Sequence, residues 1–185
     1  MNLKNIIEVL IHSTPHPVFS KEIISVLEED HIINLPEIIN EINKEYAKLD
    51  KGYRIEKIGG GYQLLSLSDY HPYIEKLQKG VKKPRFSKAA IETLSIIAYK
   101  QPLTRAEVEH IRGVDSSGII KNLLEKGLVS IKGRDGGLGK ALLYITTPIF
   151  LELFGLDTLA DLPTLEELSQ LLNEERNSIQ NENEN

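Results

Sequence analysis

The residues able to do chemistry are sparse in this chain of 185 residues and seldom stand where they could cooperate. There are five histidines, no cysteine, and 27 aspartates and glutamates. His12 and His16 are spaced i, i+4, which on one helix would offer two imidazoles to a metal ion. Pro15 and Pro17 break the helix this would need, leaving turn and surface histidines. Ser116 and Ser117 sit at an expected helix start, where a hydroxyl caps a backbone N–H, and no base accompanies them in sequence. No acid pair stands out among the carboxylates. The lack of cysteine excludes a disulfide framework and thiolate metal sites and fits a reducing cytosol. No catalytic residue, metal or cofactor is expected.

One stretch holds more promise: "GLVSIKGRDGGLGKALLYITTPIF", residues 127–150. Two apolar runs flank a loop rich in glycine and charge. A phosphate cradle needs such a loop to lead into a helix N-terminus, but here "KALLYIT" reads as a strand. A hairpin tip remains, with Gly136 and Gly137 expected to supply positive φ. Its functional counterpart is a wing whose Lys132, Arg134 and Lys140 touch a backbone phosphate weakly. Composition does not separate the two.

The elements that would position this loop recur along the chain. Residues 3–12 form an amphipathic helix ended by "STPHP", and Ser20 can cap a second helix near 21–29. Asn34 and Pro36 open a third, with Ile38, Ile39, Ile42, Tyr46 and Leu49 on one face. "YRIEKI" and "YQLLSL" alternate like strands around "GGG", and Pro72 opens a short helix. The order then repeats. Ser87 caps a helix carrying Ala90, Ile91, Leu94, Ile97 and Ala98. Thr104 and Glu107 fit a capping box on the next, which ends at Gly113. Asp115 or Ser116 caps a third, with Ile119, Leu123 and Leu124 inward and Gly127 at its end. The strands "LVSIKG" and "ALLYIT" follow, and Pro148 opens a closing helix. Sliding the chain by 85 residues lays Ile6 over Ile91, Val9 over Leu94, Ile11 over Ile96, Pro17 over Pro102, Val18 over Leu103, Glu22 over Glu107, Ile23 over Val108, and Val26 over Ile111.

Three helices and a hairpin make a winged helix. The expected fold class is therefore mainly α with small β-hairpins (α+β), as two tandem winged-helix domains plus a C-terminal helical and disordered tail. The boundaries expected are 1–79, a linker 80–86, a second domain 87–155, a helical extension 156–176 carrying Leu165, Leu168, Leu171 and Leu172, and an acidic disordered tail 177–185. The N-terminal apolar run is too short and interrupted to span a membrane or serve as a signal peptide, so a soluble intracellular protein is expected.

Charge argues against a dedicated nucleic-acid reader. The net charge is −5. Residues 1–84 carry 11 basic against 12 acidic groups, 85–155 carry 10 against 7, and 156–185 carry 1 against 8. In a winged helix the third helix normally enters the DNA groove. The first copy places Glu37, Glu41, Glu45 and Asp50 there against Lys44 and Lys48. The second has Asp115, Lys121, Glu125 and Lys126, with Asn122 as its amide. Neither carries an array of Arg or Gln that reads base edges. Apolar side chains, by contrast, are in surplus: Ile91, Leu94, Ile96, Ile97 and Tyr99 spread around more than one face of their helix. They are either buried between elements or form a groove or dimer surface for another chain's helix.

"RFSKAAIETLSIIAYKQPLTRAEVEHIRGVDSSG" and "GRDGGLGKALLYITTPIFLELFGLDTLADLP" resemble the signature region of the segregation and condensation protein B family, densely over 85–163 and diffusely over 1–84. The resemblance implies tandem winged-helix domains without enzyme activity. It implies a homodimer, formed mainly through the N-terminal domain, that grips the kleisin subunit, segregation and condensation protein A, and through it the heads of the SMC ATPase. The role implied is chromosome condensation and partition in the cytoplasm, at the nucleoid, with no specific DNA sequence and no membrane as partner. On that reading the kleisin contacts expected are Ile97, Tyr99, Leu103, Leu142, Tyr144 and Phe150, and the dimer contacts Ile6, Ile7, Leu10, Ile38 and Ile42. The rival readings are a winged-helix transcriptional regulator and a hydrolase or nucleotide-binding enzyme.

Overall fold

A computed structural model describes residues 2–27, 33–78, 86–137, 139–164, 166–168 and 170. The first domain contains α1 (Leu3–His12), β1 (Val18–Phe19), α2 (Ser20–Leu27), α3 (Leu35–Lys48), β2 (Tyr53–Ile58), β3 (Gly61–Ser66) and α4 (His71–Leu77). The second contains α5 (Lys88–Lys100), β4 (Leu103–Thr104), α6 (Arg105–Arg112), α7 (Ser117–Glu125), β5 (Val129–Arg134), β6 (Leu142–Thr146) and α8 (Pro148–Phe154). Each is a winged helix, so the chain is a tandem α+β protein. Each wing is an antiparallel sheet of three strands, in the orders β1-β3-β2 and β4-β6-β5. The third strand of each, two residues long, is too short to be read from alternation in sequence.

The repeat is real, and the structure shows where it is in register. β1 and α2 coincide with β4 and α6 at the 85-residue offset. Ile23 and Val108 are both fully buried there. Glu22 and Glu107 do the same work: each carboxylate accepts the backbone N–H just ahead of its helix, from Phe19 at 2.8 Å and from Thr104 at 2.7 Å. The first helices do not bury the same positions in that register. α5 is 13 residues long against 10 for α1. Although both helices start at matched positions, different faces turn inward: Ile7 and Ile11 face one core, while Leu94, Ile97 and Ala98 face the other. Val9 and Leu94, matched in sequence, are respectively exposed and buried.

The first core gathers Ile7, Ile11, Ile23, Leu35, Ile39, Ile42, Tyr46, Ile55 and Tyr62. The second gathers Leu94, Ile97, Val108, Ile120, Leu123, Val129, Tyr144 and Phe150 among others. Several local expectations are corrected. Leu49 is the C-cap of α3 and 67% exposed, because the helix ends at Lys48 before it can turn inward. Ile120 is the buried member of its pair and Ile119 is half-buried. Ser20 lies within α2, whose entry is served by Glu22. Asn34 occupies the N-cap of α3, but its amide donates to Glu37 instead of capping. Ser116 is the N-cap of α7, while Asp115 accepts the Ser117 N–H at 2.9 Å. At the second hairpin, neither Gly136 nor Gly137 has positive φ; Lys140 does, at 42°.

Beyond α8, Gly155 closes the helix in the left-handed region at φ 66°. A 3₁₀ turn, Leu159–Asp161, follows. Thr164 and Glu167 then exchange capping hydrogen bonds of 3.2 and 2.7 Å. Residues 166–168 and 170 are helical. Leu165, Leu171, Leu172 and the expected tail 177–185 lie outside the described residues, as does the linker 80–86 apart from Phe86.

Candidate interaction surfaces

The residues with chemical potential are engaged in structure. His12 ends α1. His16 lies in the following segment with its Nδ1 2.8 Å from the Glu152 carboxylate. The Ser116 hydroxyl accepts from Arg112 at 2.8 Å and donates to the Val114 carbonyl. The Ser117 hydroxyl donates to Asp115. Among the described residues no cluster of three His, Asp or Glu side chains could hold a metal ion, and no helix is long and apolar enough to cross a membrane.

The third helices carry acid where DNA would sit. Lys4 of α1 reaches across to Glu41 and Glu45 of α3, 2.8 Å from each. The Lys4 hydrogen bond holds the Glu41 carboxyl below its ordinary pKa, so it stays ionised. At the entry to α7, the Ser117 N–H and hydroxyl hold Asp115 down in the same way. Both groups would repel phosphate.

Apolar surface lies elsewhere. Between α1 and α2 a groove of about 510 Å³ is lined by Asn2, Asn5, Ile6, Val9, Leu10, Val26 and Leu27. Val9 is 64% and Val26 58% exposed. The second domain has a groove of about 590 Å³ beside α6, lined by Lys100, Leu103, Ala106, Glu107, His110 and Ile111. Ile111, the repeat partner of Val26, is also exposed. Aliphatic side chains at equivalent open positions of both second helices cost solvation without serving either core.

A third groove, about 870 Å³, opens where the domains meet and is lined by His16, Ile58, Gln63, Leu65, Ile149, Glu152, Leu153, Phe154 and Gly155. A polar clasp fixes its edge. The Gly59 N–H donates to the Leu156 carbonyl at 2.9 Å and the Gly60 N–H to the Asp157 carboxylate at 3.0 Å. Lys57 pairs with the same carboxylate at 2.9 Å. Gly59 and Gly60 hold φ of 59° and 82°, so this turn requires glycine. A Cβ at Gly59 would also meet the Pro148 carbonyl at 3.4 Å.

The residues expected at partner surfaces divide sharply. Ile97, Leu103, Tyr144 and Phe150 are instead buried in the second core. Leu142 is half-buried against it. Tyr99 is open, with its hydroxyl donating to the Pro163 carbonyl at 2.7 Å. Of the dimer set, Ile7 and Ile42 are core residues and Ile38 packs against that core. Ile6 and Leu10 line the α1–α2 groove. Sequence reasoning missed Val9, Val26, Ile111, Ile149, Leu153 and Phe154. For Val26 and Ile111 periodicity gave no signal, because each lies three residues after a buried residue, Ile23 or Val108, and so on nearly the same helix face. Lys132, Arg134 and Lys140 are exposed on the second hairpin.

The profile of the family "Segregation and condensation complex subunit ScpB" matches residues 5–165. The segregation and condensation protein B of Syntrophotalea carbinolica is 40% identical over 94% of this chain and 87% of its own length. That of Bacillus pumilus is 40% identical over 90% of this chain and 84% of its own. The crystal structure of ScpB from Mycobacterium tuberculosis aligns at 30% identity and a TM-score of 0.39, covering 83% of this chain and 95% of that one. A profile matched across both winged helices and the clasp between them places this chain in the ScpB family of segregation and condensation complex subunits.

Proposed function

We propose that this chain is a non-catalytic subunit of a chromosome segregation and condensation complex, acting in the cytoplasm at the nucleoid. In this reading it pairs with a second copy through the first domain. Through the second it holds the kleisin, segregation and condensation protein A, and so reaches the SMC ATPase indirectly. The observation that carries the reading is the pairing of open apolar grooves with acid-faced third helices. Such a surface suits another polypeptide and opposes a phosphate backbone. The names of the relatives point the same way. A sequence-reading transcriptional regulator is disfavoured by the same acids.

The self-contact is assigned to the α1–α2 groove, with Ile6, Val9, Leu10 and Val26 at its centre. Light scattering at micromolar concentration should report a dimer for the native chain and a monomer for Val9→Asp combined with Val26→Asp. A native monomer rejects the assignment. For the kleisin, the surface-accessible candidate is Tyr99. On co-expression, Tyr99→Ala should weaken the complex by about 2 kcal/mol if this ring is an interface anchor. Retention of the kleisin at native strength removes Tyr99 from the interface.

A further inference from the structure

The two hairpins hold the same place in the repeat and serve different ends. In the first domain the turn between β2 and β3 is two glycines long and is tied to the second domain through Leu156 and Asp157. In the second, the connection from β5 to β6 spans 135–141. Among the described residues, every hydrogen bond of that tip stays within the hairpin: Asp135 N–H to the Ala141 carbonyl at 2.7 Å, Lys140 N–H to Gly137 at 3.0 Å, and Arg134 Nη1 to the Lys140 carbonyl at 3.0 Å. One wing is docked and the other is free.

The free wing is cationic. Lys132, Arg134 and Lys140 are exposed, and none of them forms an ion pair among the described residues. Arg134 uses one guanidinium donor to hold the tip, leaving the rest of its five available. A bulge between Ile131 and Gly133 takes Lys132 out of the strand's regular alternation. Asp135 is the single acid on the hairpin. Meanwhile the usual reading element is closed to phosphate, because the ionised Asp115 stands at the start of α7. The hairpin, by contrast, offers three exposed cations with no ion-pair partner among the described residues.

We propose that the β5–β6 hairpin rests on the sugar–phosphate backbone of duplex DNA through Lys132, Arg134 and Lys140, without reading bases. Nucleic acid fits better than an acidic protein segment. Between Arg134 and Lys140 the chain carries Asp135, Gly136, Gly137, Leu138 and Gly139, with no aromatic residue of the kind that anchors protein interfaces. Release of counterions from a phosphate chain needs only the cations.

The test uses the full chain and fluorescence anisotropy of labelled duplexes of about 25 base pairs and unrelated sequence, across the ~50–200 mM salt range where such contacts weaken. The expected slope of log K against log salt is about −2.7, from three cations at about −0.9 each. The variant Lys132→Ala, Arg134→Ala, Lys140→Ala should lose at least ~10-fold in affinity at low salt and most of that slope. Lys132→Arg with Lys140→Arg should keep both. The altered side chains are exposed, so an unchanged melting temperature confirms the fold, and single Lys132→Glu supplies an independent weakening. All three variants should still dimerise and retain the kleisin, so a failure here is distinct from a failure there. Native-strength duplex binding by the triple variant overturns the proposal. So does preference for one duplex sequence, or tighter binding of poly-glutamate than of duplex, which would assign the wing to an acidic polypeptide.

Discussion

Thr104 and Glu107 show how far single residues carry the fold. The threonine hydroxyl accepts the Glu107 N–H at 3.3 Å, and the glutamate accepts the Thr104 N–H at 2.7 Å, so two open donors of α6 are met reciprocally. Thr104→Ala should cost about 1 kcal/mol in urea denaturation. The Thr104 N–H and hydroxyl hold the Glu107 carboxyl below its ordinary pKa. A folded-state pKa below the unfolded one means stability that is complete above the ordinary glutamate range and lost as pH falls through the depressed value. Acid titration of the melting temperature should therefore fall less steeply from that range downward in Glu107→Gln than in the native chain. Ile97 makes the opposite point. Fully buried, it should cost about 2–5 kcal/mol as alanine, and any lost binding should track lost fold.

At the scale of elements, the two domains hold their wings to their helices differently. In the first, the Asn43 amide on α3 donates to the Ile55 carbonyl at 2.8 Å and accepts the Ile55 N–H at 2.9 Å, acting as one more strand residue against β2. Asn43→Ala leaves both backbone groups unpaired and should cost about 2 kcal/mol, at about 1 per hydrogen bond, by chemical denaturation. In the second, the Gln101 amide bridges the end of α5 to Thr146 of β6, accepting its N–H at 2.7 Å. Neither bond was legible in sequence, because each joins residues brought together only when helix and sheet have packed. The helices were legible. Ser87, Gly113, Gly127 and Pro148 mark boundaries by backbone chemistry that acts within a few residues.

At the scale of the whole molecule, the first wing is a joint. Asp157 accepts from the Gly60 N–H and from Lys57, and Leu156 accepts from Gly59, so the segment after α8 holds the other domain's hairpin. Asp157→Ala should free that hairpin while leaving both cores intact. Calorimetry is expected to resolve one unfolding transition into two, and hydrogen exchange at the Gly60 amide should quicken. A single unchanged transition would mean that the apolar residues gathered beside the clasp, such as Ile58 and Ile149, suffice to couple the domains.

The amino-acid sequence by itself determined the order of helices and hairpins, the duplication, the Ser87 and Thr104 caps and the tandem winged-helix plan, since periodicity, proline and capping chemistry are local properties. Only the tertiary structure decided which apolar residues are core and which are surface. Val9 and Ile97 are equally apolar, yet one is open and the other sealed. It alone showed that one wing is docked and the other free. Burial depends on what the chain packs against from far away in sequence, and nothing local encodes that partner.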